Sequence, residues 1–118
     1  MITTLFGHQV TAALENLTGW ALIQDGRAIR KDFEFKDFEA SWAFMNRIAM
    51  TAEKMNHHPD WRNVYNRVEI TLTTHDADGI TTKDITLAEK IESYAGDALT
   101  EADNKAPTSL NTEVSDCE

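Results

Sequence analysis

The chain is poor in cysteine and has no long apolar run, and each shortage excludes a class of protein. Its one cysteine, Cys117, cannot form an internal disulfide, so we expect no disulfide framework. No apolar run reaches the roughly 20 residues that a membrane-spanning helix needs. The opening residues, MITTLFGHQV, lack the basic start and apolar segment of a secretory signal, so we expect a cytoplasmic protein.

Basic residues are also scarce, with 11 lysines and arginines against 20 aspartates and glutamates, for a formal charge of −9. Direct nucleic-acid binding rests largely on neutralising phosphates, so this balance argues against it. The end of the chain adds to the acidic excess and also holds Pro107 with scattered Ser, Thr and Asn. This composition predicts one domain over residues 1–99 and a flexible acidic tail over residues 100–118.

Several catalytic and metal-binding motifs are missing as well. The sequence contains no HExxH, no CxxC and no GxSxG elbow, and its scattered glycines form no phosphate-binding loop. The adjacent pair His57 and His58 is a poor chelator, because neighbouring side chains in an extended chain point to opposite sides. We therefore expect no metal site.

Periodicity in the first half of the chain predicts two helices and a hairpin. A helix is expected over residues 7–17 and a strand over residues 20–23, followed by a turn at a DG pair. The run AIRKDFEF then alternates as a half-buried strand does. Asp37 is a good N-cap for a long helix ending near Met55.

Apolar residues recur at three- and four-residue steps along that long helix, and this stripe predicts its core face. The stripe comprises Phe38, Trp42, Met45, Ile48, Ala49 and Ala52. Phe44 lies off the stripe and therefore indicates a second buried surface.

The second half predicts another hairpin and a last helix. We expect a long strand over residues 64–75 and a shorter one over residues 80–84. Thr86 and Glu89 have the spacing of a capping box, which opens a helix to about Leu99. The predicted fold is α+β, a four-stranded antiparallel sheet covered by helices in the order α-β-β-α-β-β-α.

Three of the four histidines lie within the segment EKMNHHPDWRNVYNRVEITLTTH. His57 and His58 precede Pro59, which disfavours helical geometry before it, and His75 ends the predicted strand. Histidine exchanges protons near neutral pH, so one interpretation is an acid/base site. The other interpretation is three solvated loop histidines, and the residue pattern alone leaves the two even.

This segment, together with GITTKDITLAEKIE after it, resembles the pterin-4a-carbinolamine dehydratase family, also known as the dimerisation-cofactor family. The similarity is looser over the rest of residues 5–99. The matching features are the EK pair, HHP, the aromatic Trp61, VYN at residues 64–66, Thr74-His75, Gly79 and Asp84.

The resemblance implies a dehydratase that removes water from 4a-hydroxytetrahydrobiopterin and yields quinonoid dihydropterin. Such an enzyme serves tetrahydrobiopterin recycling for an aromatic amino acid hydroxylase, to which it is functionally linked. Both proton transfers suit histidine, so no cofactor is needed. The resemblance further implies a small-molecule pterin substrate and a homodimer or homotetramer.

Carried over by position, the resemblance also implies roles for individual residues. We expect His57 and His75 to transfer protons and His58 to anchor the pterin. Candidates for orienting these histidines are Glu53 and Asp84. The remaining implied pterin contacts are Pro59, Thr74, Asp76 and Ala77, with Trp61 as a candidate wall of the pterin site; His8 matches no motif residue and is expected at the surface.

A second interpretation keeps the fold without the catalysis. Animal relatives in this family stabilise dimers of a homeodomain transcription factor, so the resemblance is also compatible with a protein-interaction scaffold. Further alternatives are an assembly factor or another pterin step on the same fold, and a small metal-binding protein. Intact HHP and TH favour catalysis, because a scaffold has no need of three imidazoles.

Overall fold

A computed structural model describes residues 4–105, with side chains as far as Asp97, as a four-stranded antiparallel sheet and three α-helices. The strand order is β1-β2-β4-β3. The elements are α1 (Gly7–Leu14), β1 (Ala21–Ile23), β2 (Ala28–Glu34), α2 (Phe38–Met55), β3 (Asp60–Val64), β4 (Arg67–Leu72) and α3 (Thr82–Lys105). The predicted fold class and element order are confirmed. The predicted tail lies mostly outside the described residues, so the boundary at residue 99 stays a prediction.

The first half of the chain follows the predicted elements, with one shorter helix. α1 ends at Leu14 rather than Leu17, although Leu17 is still buried. Asp37 caps α2 as predicted, since its carboxylate accepts a hydrogen bond from the Ala40 amide at 2.9 Å. α2 then runs without interruption to Met55.

The second hairpin lies earlier in the chain than predicted. The single strand expected over residues 64–75 is instead β3 and β4, joined by a tight turn at Tyr65 and Asn66. Tyr65 holds a φ of 51°, a conformation usually taken by glycine or asparagine. Because the turn contains neither glycine nor proline and Asn66 is its one turn-forming residue, its sequence signal is weak.

The strand predicted over residues 80–84 is wrong, because this segment starts a helix. Thr81 and Asp84, rather than Thr86 and Glu89, cap the start of α3, in a variant of the capping box in which the hydroxyl bonds the second helical amide instead of the third. The Thr81 hydroxyl accepts from the Lys83 amide at 3.2 Å, and the Asp84 carboxylate accepts from the Thr81 amide at 2.9 Å. These two bonds satisfy amide groups that a helix start leaves unpaired.

The core lies between the sheet and the helices, and it takes only part of the predicted stripe of α2. Met45, Ile48 and Ala52 are buried as predicted, whereas Ala49, like Phe38 and Trp42, is exposed. Phe44 is 1% exposed and packs against Phe35 with ring centroids 4.7 Å apart. Phe38 and Trp42 are 48% and 56% exposed, and their rings stack on each other. The assignment of Phe38 and Trp42 to the core was therefore wrong, as was that of Phe44 to a second surface. The buried side chains of α2 are Ser41, Phe44, Met45, Ile48 and Ala52.

A polar cluster at the edge of the core ties the loop before β1 to α3. Lys31 donates to the Thr18 carbonyl at 2.8 Å and to the Glu92 carboxylate at 2.7 Å. The Trp20 indole donates to the same carboxylate oxygen at 2.8 Å. Lys31, which interrupts the apolar alternation of β2, therefore has a structural role.

Replacing Gly19 in this loop with alanine is expected to destabilise the fold. Gly19 has a φ of +92°, and an added Cβ would meet the Lys31 Cε at 2.9 Å. We expect Gly19→Ala to lower the free energy of unfolding by about 1–3 kcal/mol, measured by urea denaturation. The matched control is Gly96→Ala in α3, where an added Cβ meets no atom within 4 Å and should stabilise the helix slightly. An unchanged midpoint for Gly19→Ala would contradict the prediction.

Charged side chains cover the outer face of the sheet. Arg30 pairs with Asp32 at 3.0 Å and with Glu69 at 3.4 Å, and Arg62 pairs with Glu69 at 3.6 Å. The hydrogen bond to Asp32 raises the pKa of Arg30 above its ordinary value, so this guanidinium stays charged. A shallow depression of about 150 Å³ on this face is lined by Arg62, Val64, Arg67 and Glu69, and contains no histidine.

Candidate active site

The end of α2 places His57 in the protein interior. Asn56 takes the left-handed conformation, with φ 53° and ψ 44°, and its amide donates to the Glu53 carbonyl at 3.1 Å. The His57 amide donates to the Ala52 carbonyl at 3.0 Å, which completes a Schellman motif. This reversal directs the His57 ring inward, where the side chain is only 8% exposed.

The buried His57 ring is held by Asp84 in the first turn of α3. His57 Nε2 lies 2.6 Å from Asp84 Oδ1, and Asp84 is completely buried. Asp84 Oδ2 accepts from the Thr74 hydroxyl at 2.7 Å and from the Thr81 amide at 2.9 Å. A buried carboxylate needs such donors, because removing it from water without them is costly.

Thr74 brings the end of β4 to the same point. Its amide donates to the Gly79 carbonyl at 2.8 Å, and the Gly79 amide returns a bond at 3.3 Å. Between them, a short 3-10 helix (His75–Ala77) carries His75 and Asp76 on the exposed side. The Thr4 hydroxyl donates to the Ala77 carbonyl at 2.8 Å and ties this corner to the start of the chain.

Three elements therefore converge on one cluster, namely the ends of α2 and β4 and the start of α3. Its members are His57, Asp84, Thr74 and Thr81, which are joined by hydrogen bonds. His58 follows His57 and His75 follows Thr74, so each lies about 3.8 Å, Cα to Cα, from a cluster member. The fold thus gathers the backbone of all three predicted histidines around one point.

His58 differs from His57 in its exposure. Its Nε2 lies 2.9 Å from the Glu53 carboxylate, with the two side chains 58% and 81% exposed. An exposed pair of this kind contributes about 0–1 kcal/mol to stability, so it holds His58 only loosely. His58 is therefore accessible to a ligand.

The other residues predicted to contact a pterin lie close in sequence to the members of this cluster. Pro59 is partly buried directly before β3, and Ala77 is partly buried at the end of the 3-10 helix. Trp61 lies opposite Ile70 in the sheet and packs against the core, so its indole has a structural contact. His8 is exposed on α1. The contacts of these residues with a pterin stay predictions.

Thr81 is the member of the cluster that the sequence reasoning did not single out. It is 1% exposed, and its hydroxyl lies 2.8 Å from that of Thr74. The available signal was the spacing of Thr81 and Asp84 in TTKD, which has the form of a capping box with aspartate in place of glutamate.

The arrangement suits proton transfer at a sheltered imidazole. One ring nitrogen of His57 is engaged by a carboxylate, which orients the ring, while His58 and His75 are exposed residues next in sequence to His57 and Thr74. Among the described residues, no group of three or more His, Cys, Asp or Glu is arranged to hold a metal ion.

None of the helices in this part of the chain is long and apolar enough to cross a membrane.

Comparisons with known proteins give a consistent result for the sequence. The profile of the family described as "Pterin 4 alpha carbinolamine dehydratase" matches residues 3–94. A protein of Novosphingobium aromaticivorans is 57% identical over 83 residues, covering 70% of this chain and 86% of its own. A protein of Mesorhizobium japonicum is 53% identical over 87 residues, covering 74% and 89%. Both carry the provisional name pterin-4-alpha-carbinolamine dehydratase.

Solved structures show the same fold. A transcriptional coactivator/pterin dehydratase from Brucella melitensis superposes with a TM-score of 0.78 at 42% identity, covering 80% of this chain and 100% of that one. A pterin dehydratase-like protein described as a RuBisCO assembly factor in the alpha-carboxysome superposes with a TM-score of 0.58 at 22% identity. It covers 66% of this chain and 90% of its own, and its likeness shows the fold alone.

Proposed function

The chain belongs to the pterin 4 alpha carbinolamine dehydratase family, and we propose that it removes water from 4a-hydroxytetrahydrobiopterin by histidine acid/base catalysis. The observation that carries this proposal is the buried pair of His57 and Asp84, with the exposed residues His58 and His75 next in sequence to His57 and to Thr74, which also bonds Asp84. The reaction requires two proton transfers, and histidine performs both near neutral pH.

In the proposed mechanism, an imidazolium protonates the hydroxyl leaving the ring-junction carbon, and the carbon–oxygen bond breaks to release water. A neutral imidazole takes the proton from the adjacent ring nitrogen, whose electron pair forms the new carbon–nitrogen double bond. The product is quinonoid dihydropterin. We assign these transfers to His57 and His75, because Asp84 orients the first and the 3-10 helix exposes the second.

His58 has a different proposed role. Its exposed ring beside Glu53 is available to anchor the pterin, with Pro59, Asp76 and Ala77 as further contacts. We propose that the enzyme acts in the cytoplasm, where it serves tetrahydrobiopterin recycling for an aromatic amino acid hydroxylase. No cofactor takes part in this scheme.

The direct experiment generates the 4a-hydroxytetrahydropterin with a hydroxylase and follows its absorbance as it decays. Added protein should accelerate the decay beyond the spontaneous rate, and the acceleration should survive exhaustive chelation. If the rate equals the spontaneous one, the dehydratase proposal fails. Activity that disappears on chelation and returns with a metal would favour a metal-dependent function instead.

We further propose that the protein is a homo-oligomer that associates through the exposed face of α2. Phe38, Trp42 and Met50 recur at four- and eight-residue steps, and Met50 is 61% exposed. At about 100° per residue these three side chains fall within about 120° of the helix circumference, so they form an apolar strip facing solvent. A second copy of this strip is an apolar partner of matching length.

Replacing Trp42 with glutamate should weaken this association. We expect light scattering after size-exclusion chromatography to give a dimer or tetramer for the unchanged protein and a smaller mass for Trp42→Glu, because the charge would be buried without a partner. Phe6→Glu is the matched control, since Phe6 is 70% exposed and precedes α1. A monomeric unchanged protein would refute the oligomer proposal.

The alternative function is a non-catalytic interaction scaffold. The observation that supports it is the same exposed apolar strip on α2, which a partner protein could cover. A scaffold should bind its partner equally well after His57 or His75 is replaced with alanine. A pull-down with the unchanged and substituted proteins, run beside the decay assay, separates the two functions. Loss of activity with retained binding of a partner would show that the chain does both.

A further inference from the structure

The hydrogen bonds around Asp84 determine which nitrogen of His57 is free. The Thr81 amide can only donate, so Asp84 Oδ2 is an acceptor there. The Thr81 hydroxyl accepts from the Lys83 amide, so its own proton is available to the Thr74 oxygen 2.8 Å away. The Thr74 hydroxyl then donates to Asp84 Oδ2 at 2.7 Å.

All protons of this network therefore point toward Asp84. A carboxylate that receives two donors at Oδ2 is best satisfied as an ionised acceptor at Oδ1 as well. His57 Nε2, which lies 2.6 Å from Oδ1, must then carry a proton whether the ring is neutral or charged. Within the described part of the chain, Nε2 has this partner and Nδ1 has none.

We infer that His57 exchanges its proton with the substrate at Nδ1, and that the Thr74 and Thr81 hydroxyls are positioning groups that fix this tautomer through Asp84. The inference rests on the proposed function for its catalytic part. It also gives Thr74 a task other than touching the pterin, because its hydroxyl is buried and already donates to Asp84.

The two threonines differ in how many hydrogen bonds they donate to Asp84. Thr81 keeps its amide bond to Asp84 when its hydroxyl is removed, whereas Thr74 has only its hydroxyl to give. Thr74→Val, which keeps the shape and removes the donor, should therefore disturb His57 more than Thr81→Val does. Thr74→Ser restores the hydroxyl and is the matched rescue variant.

The experiment measures the tautomer by two-bond proton–nitrogen correlation on protein labelled with nitrogen-15 in histidine. His57→Gln assigns the resonance, and spectra are taken at a pH where the ring is neutral. We expect Nε2 to carry the proton in the unchanged protein and in Thr74→Ser, and a mixed signal in Thr74→Val. The outer partners of metal-bound histidines are worth about 10- to 100-fold, and by analogy we expect kcat of Thr74→Val to fall by about 10-fold or more.

Each result separates the inference from the function it rests on. A proton on Nδ1 in the unchanged, active protein would overturn the inference and leave the dehydratase function standing. An Nε2 proton in a protein that does not accelerate the decay would support the tautomer and overturn the proposed function. An unaltered tautomer and kcat in folded Thr74→Val would overturn the role of the threonines. If Thr74→Val does not fold, the tautomer of the unchanged protein still decides the assignment of Nδ1.

Discussion

Replacing His57 with alanine is expected to lower kcat for pterin dehydration by about 10²- to 10⁴-fold, the usual contribution of a positioned acid/base group. The ring is buried and held by Asp84 at 2.6 Å, and alanine removes the imidazole that this carboxylate orients. Stopped-flow measurement of the decay of the 4a-hydroxytetrahydropterin gives the rate. Circular dichroism at the assay temperature shows whether the variant is folded.

The matched control for this prediction is His8→Ala, which removes an exposed histidine of α1 and should leave kcat unchanged. His75→Ala provides an independent measurement, because its side chain is exposed and its loss should lower the rate with little effect on stability. A folded His57→Ala protein with the unchanged rate would remove His57 from the mechanism.

Replacing Asp84 with alanine should have the largest effect on stability. The carboxylate is completely buried, and three donors would lose their acceptor at once: His57 Nε2, the Thr74 hydroxyl and the Thr81 amide. Leaving the partners of a buried charge unpaired typically costs about 3–5 kcal/mol. In a domain of this size that corresponds to a fall in Tm of roughly 10 °C or more, which differential scanning calorimetry would measure.

Asp97→Ala is the control for the effect of losing an acid from α3. The Asp97 side chain is 63% exposed and pairs with Arg47 at 3.4 Å, so its loss should change stability by less than about 1 kcal/mol. Asp84→Asn should lie between the two, because it keeps the shape and one acceptor oxygen. Equal melting temperatures for Asp84→Ala and Asp97→Ala would contradict the role given to the buried carboxylate.

The sequence predicted those parts of the fold that local chemistry determines. The alternation in β2 and the Asp37 cap of α2 were both found, since each depends on residues close in sequence. The turn at Tyr65 was missed because Asn66 is its one turn-forming residue and the positive φ falls on Tyr65, between the paired strands β3 and β4. Which face of α2 is buried depends on tertiary packing. Trp42 was therefore predicted to be in the core and Phe44 outside it, whereas the structure has Trp42 exposed and Phe44 buried.

Most residues of the candidate site could be predicted from the sequence, but Thr81 could not. The segment with HHP and TH pointed to the three histidines, and the resemblance suggested Asp84 and Glu53 as their partners. The role of Thr81 in the cluster follows from its position directly before α3. A strand had been predicted over residues 80–84, so that role was missed. A residue whose function depends on where a helix starts is hidden until that start is known.

The double engagement of Asp84 bears on how relatives with the same fold are interpreted. One oxygen of this carboxylate serves the start of α3 and the other holds His57. A descendant that lost the reaction would still need the buried pair for folding, so selection for stability alone would retain it. Exposed His58 and His75 have no such reason to persist. In a diverged relative, these two histidines are therefore the better markers of surviving catalysis.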